Sequence, residues 1–109
     1  MQSAAAAEDR IFQALADPSR RAILESLTRG EAAVKDLTAR FEISQPAVSQ
    51  HLAALRDAGL VSYRREGRRA YYRVEPRGMK PLIDWIAHYR AFWTEHALRL
   101  ERLLEKMDE

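Results

Sequence analysis

The chain has 109 residues, 47% hydrophobic and 31% charged, which suits one globular domain with a modest core rather than a disordered segment. It has no cysteine, which excludes disulfides, thiolate metal sites and cysteine nucleophiles together. Net charge is only +2, but Arg56 to Arg77 carries seven Arg against three acids, while the stretches on either side are each slightly acidic.

Met1 to Ala7 reads as a frayed lead-in. Glu8 to Ala16 follows as a short amphipathic helix around Ile11, Phe12 and Leu15. Asp17 and Pro18 then stop that helix and start the next, Asp17 as N-cap and Pro18 at the first helical position. The second helix, Ser19 to Leu27, turns Ala22, Ile23 and Leu27 inward, and Gly30 makes the turn after it. Val34, Leu37 and Phe41 mark a brief third helix.

Ile43 to Gly59 is the most informative stretch. Ser44 supplies an N-cap oxygen, and Pro46 falls in the first turn, where a missing N–H breaks no helical bond. Val48, His51, Leu52 and Leu55 recur at helical spacing as a packed face. Gln45, Pro46, Ser49, Gln50 and Ala53 lie opposite, and none is Asp or Glu. Solvated helix faces usually carry charged side chains, so this one is suited to contact with a polar, anionic surface. Gly59 closes the helix. Two short helices joined by a tight turn, the second with a contact face, make a helix-turn-helix.

After Gly59 the period changes from helical to alternating. Leu60 to Glu66 and Arg68 to Val74 form a two-stranded hairpin about the turn Glu66-Gly67-Arg68. An isolated hairpin is marginal in water, so its apolar side must lie on the helices and its tip project as a wing. Arg64, Arg65, Arg68 and Arg69 surround that tip, and strand alternation turns about half of them to any one side. Fifteen of the 18 basic residues are Arg, the side chain suited to bidentate phosphate and base contacts.

The last helix spans residues 79–107. Leu82, Trp85, Ile86, Tyr89, Phe92, Trp93, His96, Leu100, Leu103 and Met107 fall within about 120° of its circumference. At roughly 40 Å it outruns the ~30 Å of a small domain, so the stripe requires a partner, most simply a second copy. The expected fold is mainly α with a two-stranded β-hairpin wing, in the order α-α-α-α-β-β-α. It forms a single domain over residues 1–109.

These elements place Gln45, Ser49 and Gln50 as candidates for base edges in a major groove, with Pro46 beside them. Ser44 at the helix N-terminus and Arg56 at its far end suit phosphates. Arg64, Arg65, Arg68 and Arg69 suit phosphates or a minor groove. His51 is expected to be a satisfied, partly buried core histidine. Tyr63, Tyr71 and Tyr72 are expected to pack the hairpin. Asp84, His88 and Glu95 share a flank of the last helix that could gather zinc ligands across a dimer, although an ordinary polar flank is the default. His96 reads as interface packing.

With its elements placed, the chain resembles the ArsR/SmtB family of bacterial winged-helix repressors over residues 10–107. The resemblance rests on ALADPSRRAILESL at 14–27, ISQPAVSQHLAALRDAGLV at 43–61 and REGRRAYYRV at 65–74, the second being the most specific. It implies a cytoplasmic homodimer that occupies a palindromic operator of double-stranded DNA and blocks transcription. It also implies dimerisation through the first and last helices, with Phe12, Leu82, Trp85, Tyr89, Phe92, Trp93, His96, Leu100 and Leu103 at the interface. Two departures stand out. Glu42 occupies a turn position where relatives often have glycine, and the cysteine pair of the metal-sensing members is missing, so no cofactor or metal is implied. The start shows no signal-peptide pattern and no apolar run approaches a membrane span. No Ser/His/Asp grouping, paired carboxylates or cofactor loop supports an enzyme. A winged helix serving only protein–protein contact, and a zinc-responsive repressor, are the alternatives.

Overall fold

A computed structural model describes residues 4–108. Five α-helices and a small sheet follow in order: α1 (Ala4–Leu15), α2 (Pro18–Leu27), β1 (Ala32–Ala33), α3 (Val34–Phe41), α4 (Gln45–Asp57), β2 (Val61–Glu66), β3 (Arg69–Val74) and α5 (Lys80–Met107). A single 3-10 turn, Pro76–Met79, leads into α5. The helical part of the expected order holds. Two details change.

First, α1 begins at Ala4, so Ala4 to Ala7 is helix rather than frayed lead-in. Alanine loses no side-chain entropy in a helix, and a run of four extends α1 by a turn. Met1 to Ser3 lie outside the described residues. Second, the sheet has three strands in the order β1-β3-β2, all antiparallel. Ala32 and Ala33 pair with Tyr72 and Tyr71, which ties the hairpin root to the start of α3. Two alanines carry no alternation that a sequence reading could detect.

The helix ends follow their local chemistry. The Asp17 carboxylate accepts from the Ser19 amide at 2.7 Å and the Arg20 amide at 3.3 Å. Burial pushes the Asp17 carboxyl upward, but those two amides, with the charges of His51 and Arg20, bring it below its ordinary value. The Arg21 guanidinium donates to the Leu15 carbonyl at 2.6 Å and so caps the end of α1. Ser44 Oγ accepts from the Ala47 amide at 3.2 Å, the expected cap of α4. At the other end of α4 the Leu60 amide reaches the Leu55 carbonyl and the Gly59 amide the Arg56 carbonyl, both at 2.9 Å. With Gly59 at φ +80°, this is a Schellman closure, and its hydrophobic partners Leu55 and Leu60 are both buried.

Between α3 and α4, Glu42 adopts φ +53° and ψ +37°. The turn does demand left-handed backbone, and a side chain there costs about 1–2 kcal/mol relative to glycine. The fold accepts that cost because the core clamps both flanking helices. Ile11, Ile23, Leu37, Val48, Leu52, Leu55 and Leu60 are fully buried, so α1 to α4 and the root of β2 share one core. Leu52→Ala there would forfeit about 2–5 kcal/mol.

α5 is built differently. Its 28 residues extend about 42 Å, and none of them is buried. Its first turns touch the rest of the chain, through Leu82 on the core and through Phe12, whose ring meets Trp85 edge-on at 5.5 Å. Beyond them the stripe stands in solvent, with Trp93 56% and Leu103 58% exposed. The helix is therefore not wrapped on the core of its own chain. No helix among the described residues is long and apolar enough to cross a membrane.

Candidate nucleic-acid interface

The inward face of α4 is made by Val48, Leu52 and Leu55, all fully buried, and this orients the opposite face. Gln45, Pro46, Ser49, Gln50 and Ala53 are all exposed there, as is Arg56 at the last turn. Ser44 is committed to the cap, and its exposed position leaves its hydroxyl beside the free amides of the first turn. The candidate base-reading side chains thus share one open surface.

His51 departs from expectation. It is half-buried, as its place on the packed face requires, but its Nδ1 is buried without a hydrogen-bond partner among the described residues, where a satisfied ring was expected. On the helix it lies on the same face as buried Val48 and Leu52, and no hydrogen-bonding group among the described residues reaches Nδ1.

The wing divides its arginines by strand register. Val61, Tyr63 and Arg65 share one face of β2, and buried Val61 points that face toward the helices. Ser62, Arg64 and Glu66 occupy the other. There Arg64 forms a two-pronged pair with Glu31, Nε to Oε2 at 3.1 Å and Nη2 to Oε1 at 2.5 Å. Its Nη1 also bonds Glu66 at 2.8 Å, and its guanidinium lies 4.9 Å from the centre of the Tyr71 ring. The Arg64 bond holds the Glu31 carboxyl below its ordinary value against a smaller effect of burial, and Glu31 first, then Glu66, raise Arg64. Arg64 is therefore engaged by two carboxylates of the protein itself, unlike the other wing-tip arginines. Alternation along the strands could not foresee that Glu31, 33 residues away, would meet it.

Arg56, Arg65, Arg68 and Arg69 have no ion-pair partner among the described residues. Arg68 and Arg69 border a cleft of about 340 Å³ together with Lys35 and Gln45. The first residue of α4 and the wing tip therefore flank the same cationic groove. Lys35, in the first turn of α3, is absent from the residues that sequence alone nominates. A single lysine on a short helix carries no local signal, and folding alone places it beside the wing.

The Asp84, His88 and Glu95 flank is occupied by ordinary helix pairs. Asp84 accepts from Lys80 at 2.8 Å, Glu95 from Arg99 at 2.6 Å, and His88 rests edge-on against Tyr89. Among the described residues no three His, Asp or Glu side chains are gathered as a metal site. His96 lies in the stripe with its Nδ1 2.8 Å from the Phe92 carbonyl and its ring stacked on Phe92. Along the same stripe Trp85 meets Tyr89 and Phe92 meets Trp93, each pair of ring centres 5.1 Å apart.

Comparison with known proteins decides the family. The family model described as bacterial regulatory protein, arsR family, matches residues 17–63. The HTH-type transcriptional regulator Rv2034 of Mycobacterium tuberculosis is 41% identical over 97 residues, 89% of this chain and 88% of that protein. The chain belongs to the ArsR family of bacterial transcriptional regulators. The transcriptional repressor SdpR of Bacillus subtilis is 33% identical to this ArsR-family regulator over 74% of its chain and 90% of SdpR. In structure it is similar to a solved domain from Mycobacterium bovis, described as a homodimeric winged helix-turn-helix DNA-binding domain of a possible ArsR-family regulator. The TM-score is 0.64 at 34% identity, over 76% of this chain and 80% of that one. The helix-turn-helix is α3 and α4, and the wing is the β2–β3 hairpin.

Proposed function

We propose that this ArsR-family regulator is a cytoplasmic homodimer that binds a palindromic operator in double-stranded DNA and represses transcription, with no catalytic role. The observation that carries the reading is the groove in which Gln45 of α4 faces Lys35, Arg68 and Arg69. An acid-free helix face bordered by unpaired cations fits a polyanion read from one side. Gln45, Ser49 and Gln50 take base edges, where amides and hydroxyls match donors and acceptors in the major groove. Pro46 packs alongside. Ser44 and the helix N-terminus, Lys35, Arg56, Arg65, Arg68 and Arg69 take phosphates and set register. Arg64 holds the wing instead.

The exposed α5 stripe supports the homodimer. Phe12, Leu82, Trp85, Tyr89, Phe92, Trp93, His96, Leu100 and Leu103 offer more contiguous apolar surface than a monomer normally leaves in water. Two-fold pairing of α5 would present two α4 helices, which is why the operator is expected to be palindromic. The M. bovis homodimer and the repressor SdpR support this reading by similarity.

The deciding experiment is selection from random duplexes with the purified protein, followed by salt titration of the best site. The expected result is an inverted repeat whose half-sites lie about one helical turn apart, bound with a steep negative salt dependence. Weak, salt-independent binding with no enriched sequence would support a winged helix used for protein contact instead.

A further inference from the structure

Tyr63 is uncharged and 38% exposed, and it sits between the two elements of the DNA-binding reading. The Arg56 guanidinium, from the last turn of α4, lies 5.3 Å from the centre of its ring. The Arg65 guanidinium, from the wing, lies 5.9 Å from the same centre. Neither arginine has a carboxylate partner among the described residues. The ring itself is fixed from behind. Tyr63 is the register partner of Tyr72, the two rings are 5.4 Å apart, and Tyr72 packs on the core. One rigid aromatic surface therefore gathers a cation from the recognition helix and another from the wing.

We propose that Tyr63 is a positioning residue that holds Arg56 and Arg65 as a joint phosphate clamp, so that helix and wing grip the same stretch of DNA backbone. The physical reason is that two exposed arginines are long and mobile, and their mutual repulsion would spread them apart. The electron-rich faces of an aromatic ring attract both without neutralising either, and a ring anchored on Tyr72 restricts both side chains before DNA arrives. A carboxylate at this position would hold them equally well but would cancel the charge that phosphate needs. This separates Arg56 and Arg65 from Arg64, whose two glutamates do just that. The inference rests on the DNA-binding reading.

The test uses the full-length protein and its selected duplex, with affinity measured from low to high salt. Tyr63→Leu removes the ring but no charge, so a merely structural change would leave the salt slope where it was. The expected result is a loss of affinity of about tenfold at low salt, with the log–log slope flattened by up to ~1.8, about 0.9 for each phosphate neutralised. Tyr63→Phe keeps the ring and should bind like the unmutated protein. If Tyr63→Leu melts early, the cycle of Arg56→Gln, Arg65→Gln and their combination reads the same linkage with the ring in place. The combination should then weaken binding less than the product of the single losses. An unchanged slope in folded Tyr63→Leu, or strictly multiplicative losses in the cycle, would overturn the clamp while leaving DNA binding intact. Absence of salt-dependent duplex binding by the unmutated protein would instead overturn both readings.

Discussion

Gly78 lies backbone to backbone against Gly59: a Cβ on Gly78 would stand 1.6 Å from the Gly59 carbonyl oxygen. Gly59 is the residue that closes α4, and Gly78 belongs to the turn that launches α5, so the proposed recognition helix and the exposed helix meet through this contact. Close by, the Glu75 amide donates to the Leu60 carbonyl at 2.8 Å and pins the same junction. Backbone cannot move aside as the end of a flexible side chain can. Gly78→Ala is therefore expected to lower stability by about 1–3 kcal/mol, the usual range for overpacking, read from denaturant midpoints. A midpoint equal to that of the unmutated protein would show that the junction is soft.

The exposed stripe leads to a prediction about assembly. The unmutated protein should scatter light as a dimer at micromolar concentration. Trp93→Glu places a charge among Phe92, His96 and Leu100 and should give a monomer or an aggregate. A clean monomer for the unmutated chain would contradict the reading of α5.

Wing and helix should fail in different ways. Arg68→Ala combined with Arg69→Ala is expected to weaken all duplexes alike and to flatten the salt slope by ~0.9 for every phosphate no longer neutralised. Gln45→Ala or Ser49→Ala should instead relax preference at particular base pairs, by about 1–3 kcal/mol for a good contact. Arg64→Ala belongs with neither group: its charge is already paired, so the slope should barely change while the hairpin loosens. Binding isotherms on the selected site and on single-base variants separate these outcomes.

The Glu31–Arg64 pair should respond to acid and not to base. The Glu31 carboxyl is held below its ordinary 4.5 when folded, so the unfolded chain takes up a proton first as pH falls. The contribution is complete above about 4.5 and is lost as pH drops through the lower, folded value. A carboxyl NMR titration of Glu31 should show the depressed midpoint, and Arg64→Ala should return it to the ordinary range. Because both side chains are solvent-accessible, the effect on overall stability is expected to be small.

Metal ions should leave the protein unmoved. Without cysteine, arsenite, cadmium and Cu(I) find no soft ligand beyond the methionine sulfurs. Asp84 and Glu95 are each engaged with a neighbouring cation, which leaves His88 as a poor zinc anchor. Titrating each ion into the protein–operator complex, followed by fluorescence anisotropy, is expected to show no release at micromolar concentration. A reversible tenfold loss with Zn²⁺ that disappears in His88→Ala would restore the zinc-responsive alternative.

The helices were legible because their signals are local. Asp17 with Pro18, Ser44 with Pro46, and Gly59 each act within a few residues of themselves, and the 3.6-residue period of Val48, Leu52 and Leu55 is written along one helix. The acid-free face of α4 and the stripe of α5 were readable for the same reason. What folding alone decided were meetings between distant residues. β1 exists because Tyr71 and Tyr72 come to pair with two alanines. Glu31 turns one wing arginine into a strut, and Tyr63 gathers one arginine from the wing and one from α4. Lys35 joins the groove, and Nδ1 of His51 is left without a hydrogen-bond partner among the described residues. A period records which way a side chain points along its own helix or strand. Which partner waits there depends on the register and packing of elements tens of residues away, and those are settled only when the whole core closes.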